Sequence, residues 1–131
     1  MKASSGFTVV ELLVAIVFLG VVGTVFFQQQ QAVRVLHRDQ DRKVAINAIH
    51  YNLEEVVKPA LGGYPRVLNA TQLKAMDKAL LRDPAGIMIG EPTSQYHYEP
   101  TGCNGSDICA GYTLRADLER ESDFIKTNRK A

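Results

Sequence analysis

Phe7-Thr-Val-Val-Glu-Leu-Leu-Val-Ala-Ile-Val-Phe-Leu-Gly-Val-Val-Gly-Thr-Val-Phe-Phe27 carries a single ionisable side chain, Glu11, in 21 residues. A helix of that length reaches about 30 Å, the thickness of a bilayer's hydrocarbon core. A charge inside such a segment costs roughly 3 kcal/mol on insertion scales, so Glu11 calls for a partner. A secretory signal fits poorly. Its apolar core spans only about 7–15 residues and ends at a small-residue cleavage site, whereas this run ends in Phe26-Phe27-Gln28-Gln29. A plain membrane anchor explains the length, but neither the glutamate nor the Gly6-Phe7 junction that opens the run.

Downstream, Gln28 to Lys58 contains neither glycine nor proline. Ile46, Ile49, Leu53, Val56 and Ala60 recur at three- and four-residue steps and form an apolar stripe. Arg34, Arg38, Asp39, Asp41, Arg42 and Lys43 precede it as a polar collar. With a cytoplasmic leader, that collar runs against the positive-inside bias. The pattern predicts one helix of about 50 residues, Thr8 to Val57, ended by Pro59, with its first half in lipid and its second on a small sheet.

Gly62-Gly63-Tyr64-Pro65 then forms a turn cluster. Thr71 is read as the N-cap of a short helix whose apolar face is Leu73, Met76, Leu80 and Leu81, stopped by Asp83-Pro84. Ala85 to Pro92 reads as loop, with an extended piece at 87–89. Gln95–Tyr98 and Tyr112–Leu118 alternate in polarity and predict a β-hairpin joined by the loop Gly102-Cys-Asn-Gly-Ser-Asp-Ile-Cys109. Tyr96 and Tyr98 on one strand, and Tyr112, Leu114 and Ala116 on the other, are expected to face the helix stripe. The charged tail after Glu119 reads as frayed, with a short strand at Phe124-Ile125. The fold class is α+β: a long helix on a small antiparallel sheet.

The chain has 131 residues and a formal net charge of +1. Removing Lys2 would leave 14 basic side chains against 14 acidic ones. No basic excess marks nucleic acid as an obligatory partner. Cys103 and Cys109 are the only cysteines. In an oxidising compartment they would close a small disulfide loop, whereas zinc would require two more ligands and only His97 lies nearby in sequence. His37, His50 and His97 form no catalytic group, and His97 between two tyrosines reads as a solvent-facing strand residue. No nucleophile elbow or phosphate-binding glycine motif occurs, so the chain is not expected to be an enzyme. Glu91, Asn104 and Asp107 offer oxygen ligands at no recognised calcium spacing, and no cofactor is expected.

Gly6-Phe7-Thr8-Val9 and Glu11, behind the leader Met1–Gly6, resemble the processing site of type IV pilins and type II secretion pseudopilins. Gly63-Tyr64-Pro65, Asp83-Pro84, Tyr96-x-Tyr98 and Tyr112–Glu119 follow in the order seen in small pilins and major pseudopilins. Together these motifs cover nearly the whole chain. The resemblance implies a leader at 1–6, a membrane-spanning and filament-core segment at 7–27, its amphipathic continuation at 28–58 and a small globular part at 59–131. It implies cleavage between Gly6 and Phe7 by a prepilin peptidase, N-methylation of Phe7, and self-association in which Glu11 meets the amine of another subunit's Phe7. It also implies an inner-membrane assembly platform and motor as partners. The subunit would reside in the bacterial membrane before assembly, then in a cell-surface or periplasmic filament. In that family the helix often loosens near the Gly20 position, with a proline about eight residues later; here Gln28 stands there. A major pseudopilin and a non-polymerising membrane-anchored binding module are the alternatives. DNA binding through Arg115, Arg120, Lys126, Arg129 and Lys130 has little support.

Overall fold

The structure, a computed structural model, describes residues 6–103, 105 and 107–129. Residues 1–5 of the expected leader, Asn104 of the trio weighed for calcium and Lys130 of the basic set weighed for DNA therefore lie outside the described residues. The chain divides into two compact units, Met1–Val35 and Leu36–Ala131. Helix α1 spans Val9–Asn52 and runs without interruption through Gly20 and Gly23.

At Leu53 the helix widens into a π turn, Leu53–Val57, in which the Lys58 N–H donates to the Leu53 carbonyl five residues back. A final turn, α2 (Lys58–Leu61), follows and stops at Gly62, whose φ of 73° is left-handed. Pro59 therefore does not end the helix as expected. It sits in the first turn of α2, where a missing N–H and a fixed φ cost little. The glycine, free of the Cβ penalty, terminates it instead.

The π turn also corrects the expected stripe. Ile46, Ile49 and Leu53 are buried as read, but Val57 joins them while Val56 is half-buried and Ala60 exposed. A turn with more than 3.6 residues per revolution moves the inward position one residue along.

The second unit is α+β. Four strands form one antiparallel sheet: β1 (Tyr64–Pro65), β2 (Tyr96–Cys103), β3 (Ile108–Ala116) and β4 (Phe124–Thr127). β3 is central. One of its edges pairs with β2 from Tyr96↔Ala116 to Cys103↔Cys109. Its other edge pairs with β1 at Cys109 and Ile108 and with β4 from Thr113 to Ala116. The gap is bridged at Gly111, where a Cβ would lie 2.7 Å from Asn128 Oδ1. The Asn128 N–H donates to the Tyr112 carbonyl.

The expected hairpin is present, with both strands extended toward the cysteine loop and slightly shorter at the open end, and the tyrosine face turns inward. Tyr96, Tyr112, Leu114 and Ala116 share one buried cluster with Ile46, Ile49 and Leu53, and Tyr98 packs against it. The two-residue β1 was not anticipated.

The short helix read at Thr71 is absent. Asn69 Oδ1 instead takes the Thr71 and Gln72 N–H groups and the Thr71 hydroxyl, holding a turn. A 3-10 turn, Lys78–Leu81, comes later and is capped by the Asp77 side chain on the Ala79 N–H. Leu73 and Leu81 are buried all the same. The extended piece at 87–89 is a single bridge, Arg82↔Met88.

Candidate functional site

Two groups of residues carry the functional expectations, one in each unit. In the first, Gly6 and Phe7 precede the helix, and Phe7 is 79% exposed. A Cβ on Gly6 would meet no atom within 4 Å, so the Gly6-Phe7 bond is sterically open. Thr8 caps α1: its Oγ1 accepts the Glu11 N–H at 3.3 Å and its carbonyl accepts the Leu12 N–H at 3.2 Å. Thr8-Val-Val-Glu11 is thus a Ser/Thr-x-x-Glu capping sequence, with Glu11 at the third helical position. A carboxylate there faces the positive end of the helix dipole. Gly6, Phe7, Thr8 and Glu11 are held within about one helical turn.

Beyond this cap the helix presents apolar side chains on every side. Val9, Val17, Phe18, Leu19 and Phe27 are each at least 66% exposed. Thr24 returns its hydroxyl to the Val21 carbonyl at 2.8 Å, so its polar atom is satisfied within the helix. Among the described residues this is the one helix long and apolar enough to cross a membrane.

In the second unit Cys103 and Cys109 are joined as a disulfide at the hairpin tip. Cys109 is buried and pairs with Tyr64 of β1, while Cys103 is half-buried. The crosslink therefore ties the β2–β3 turn to the residue on which β1 depends. Gly102, at φ 68°, leaves room for Ala110, whose Cβ would lie 2.9 Å from a side chain there. Among the described residues no three His, Cys, Asp or Glu side chains gather as a metal site.

Two buried carboxylates on the helix were not singled out by the sequence. Asp39 and Arg42, assigned to a solvated collar, are 1% and 2% exposed. Asp39 accepts Arg42 Nη1 at 2.6 Å and the N–H groups of Glu119 and Arg120. Arg42 also reaches Gln95 and Glu119. Burial raises the Asp39 pKa, but the two N–H groups and Arg42 outweigh it and hold the carboxyl below its ordinary value. Glu119, bridged by Arg38 and Arg42, is held at about 2.

Glu54 is the second. Its Oε1 accepts the Tyr64 hydroxyl at 2.9 Å, the Tyr112 hydroxyl at 2.9 Å and the Arg129 N–H at 3.1 Å. Burial pushes its pKa up, yet these donors and Lys58 carry it below the usual range. Tyr112 has one hydroxyl hydrogen, and the ionised Glu54 takes it. His50 Nδ1, 2.7 Å from the same oxygen, must therefore carry its own hydrogen and donate. Burial lowers the His50 pKa.

The tail expected to be frayed is thus bound, among the described residues, at Glu119–Arg120 and at Arg129. His97, expected to face solvent, is half-buried, with Nε2 3.0 Å from Asp117 Oδ2. The available signals were local: the three-residue Asp39–Arg42 spacing, and the placement of His50 and Glu54 one turn apart beside the Ile49–Leu53 stripe. Comparison with known proteins returns no matching family model, no matching curated sequence and no matching solved structure.

Proposed function

We propose that this chain is a small type IV pilin, a structural subunit of an extracellular or periplasmic filament. The observation that carries the reading is an exposed apolar segment, Phe7–Phe27, whose only ionisable side chain, Glu11, lies one turn beyond the Gly6-Phe7 junction. A prepilin peptidase cuts that junction and methylates the amine of Phe7. Cleavage leaves a cation at a helix N-terminus, where the dipole is also positive. In low dielectric such a charge requires an opposite partner.

The Glu11 carboxylate of a subunit already in the filament supplies that partner for the incoming amine and sets its register. The Phe7–Phe27 segments then pack as the filament core, and the α+β units stand outside. The chain acts as a substrate of processing enzymes and has no catalytic role. Force comes from a separate motor. A major pseudopilin of a secretion system would use the same steps.

The test is the intact mass of the protein from a peptidase-competent host. The reading expects loss of Met1–Gly6 and one methyl group on Phe7. A retained leader would overturn it and leave the chain as a membrane-anchored binding module.

A further inference from the structure

After β3 the chain turns at Glu119 and returns along the β3 edge as β4, reaching the helix again at Arg129. The two ends of this segment are held very unequally. At the first end Asp39 takes two N–H groups, Glu119 bridges Arg38 and Arg42, and Lys43 pairs with Glu121 at 2.6 Å. At the far end a single carboxylate contact, the Arg129 N–H on Glu54, stands beside two bonds one residue earlier, the Asn128 N–H on the Tyr112 carbonyl and the Tyr112 N–H on Asn128 Oδ1. Around it lie an exposed Arg129–Glu55 pair and a 3.5 Å contact from Lys58 Nζ to the Arg129 carbonyl. Between the ends, β4 pairs over only four residues and Ile125 is 54% exposed. Phe124, on the hinge side of β4, packs against the buried cluster, so apolar burial holds that side and not the latched one.

We propose that residues 119–129 form a strap hinged at Asp39 and latched by Glu54, and that protonation of Glu54 opens the latched end and uncovers the β3 edge at Thr113–Ala116. A neutral carboxyl is a weaker acceptor than a carboxylate, and the Arg129 N–H can exchange it for water at little cost, whereas the buried Tyr64 and Tyr112 hydroxyls cannot. The groups facing Glu54 are His50 of α1 through Tyr112, Lys58 of α2, Tyr64 of β1, Tyr112 of β3 and Arg129 of the strap, with Lys126 of the strap acting on His50.

A protonated His50 adds a cation that favours the Glu54 carboxylate and is opposed by Lys126 and Arg129. Glu54 lies below its ordinary value, so the latch holds above the usual carboxylate range and is lost as pH falls through that lowered value. Glu119, held at about 2 by Arg38 and Arg42, stays ionised through moderate acid, so the hinge survives. The uncovered edge is a row of unpaired backbone groups, a template for a strand of a second copy.

The experiment is hydrogen exchange, corrected for intrinsic rates, on the full chain in detergent micelles at neutral pH and at about pH 3. Protection at 124–127 should fall about tenfold or more beyond any change at His97 and Glu99 of β2, the scale of one hydrogen bond to a charged group. Arg129→Pro removes the donated N–H and leaves the tyrosine partners of Glu54 in place. It should open the strap at neutral pH and abolish the acid effect. Equal loss of protection in strap and hairpin, or full protection of 124–127 in acid or in Arg129→Pro, would overturn the latch.

Discussion

Replacing Glu54 by alanine removes the acceptor shared by Tyr64, Tyr112 and the Arg129 N–H. The three donors do not suffer equally. Tyr112 still faces His50 Nδ1 at 2.7 Å and regains a partner once that ring adopts its other tautomer. Arg129 is exposed, so water reaches its N–H. The Tyr64 ring is wholly buried and its hydroxyl is left without an acceptor. One orphaned buried hydroxyl costs about 1–3 kcal/mol, and lost side-chain packing brings the expected total to about 2–4 kcal/mol.

Glu54→Gln keeps an acceptor of the same shape, but a neutral one, and should cost about 1–2 kcal/mol. In a double-mutant cycle, Tyr64→Phe should couple to Glu54→Gln by about 1 kcal/mol, since the two share one hydrogen bond. The pH dependence carries a sign. The folded-state pKa of Glu54 is lowered, so its contribution is full above the unfolded value and fades as pH falls through the folded one. Glu54→Gln should therefore flatten the acid limb of the stability curve. Urea unfolding of the full chain in micelles, followed by near-ultraviolet circular dichroism of the buried tyrosines, reads all three. A loss below about 0.5 kcal/mol in Glu54→Ala would mean a solvated surface acid and would refute the hub.

The π turn predicts that Val57→Ala destabilises by about 1–2 kcal/mol and Val56→Ala by distinctly less; the reverse order in urea unfolding would restore the regular stripe. Alkylation of the unreduced protein should find no free thiol, and replacing both cysteines by serine should cost about 2–3 kcal/mol and loosen the hairpin tip without abolishing the fold. Free thiols, or loss of the whole sheet on reduction, would contradict this. Gly111→Ala should displace the Asn128 side chain, now 2.7 Å from the added Cβ, and cost about 1–2 kcal/mol. Wild-type stability together with unchanged exchange at the Asn128 N–H would contradict the bridge.

The elements legible in the sequence were those written in local periodicity. Ile46, Ile49 and Leu53 announce their face at helical spacing. Tyr96, Tyr112, Leu114 and Ala116 do so at the two-residue period of a strand. The two cysteines in their glycine-rich loop announce the crosslink. What stayed hidden depends on partners far along the chain. Asp39 and Arg42 look solvated until Gln95 and Glu119 arrive from more than 50 residues away. Glu54 looks like an ordinary helix acid until β1, β3 and the strap converge on it.

The charged tail read as frayed because nothing within it reveals that its N–H groups meet helix carboxylates. At Thr71 the apolar spacing suggested a helix, but Asn69 captures the amides that a helix would need. The N-terminal motif stands apart. Its Thr8 cap follows from local sequence, while the partner proposed for Glu11 would come only with assembly.

Glu11→Ala tests that assembly most directly. Removing the carboxylate makes the segment more apolar, so membrane insertion and cleavage at Gly6-Phe7 should proceed. The measurement is the amount of sheared filament relative to total mature subunit, for Glu11→Ala, Glu11→Asp and the unsubstituted chain. The electrostatic account predicts little or no filament from Glu11→Ala and an intermediate yield from Glu11→Asp, which keeps the charge on a shorter stem. Normal filament from fully processed Glu11→Ala would contradict it and leave apolar helix packing as the sole basis of assembly.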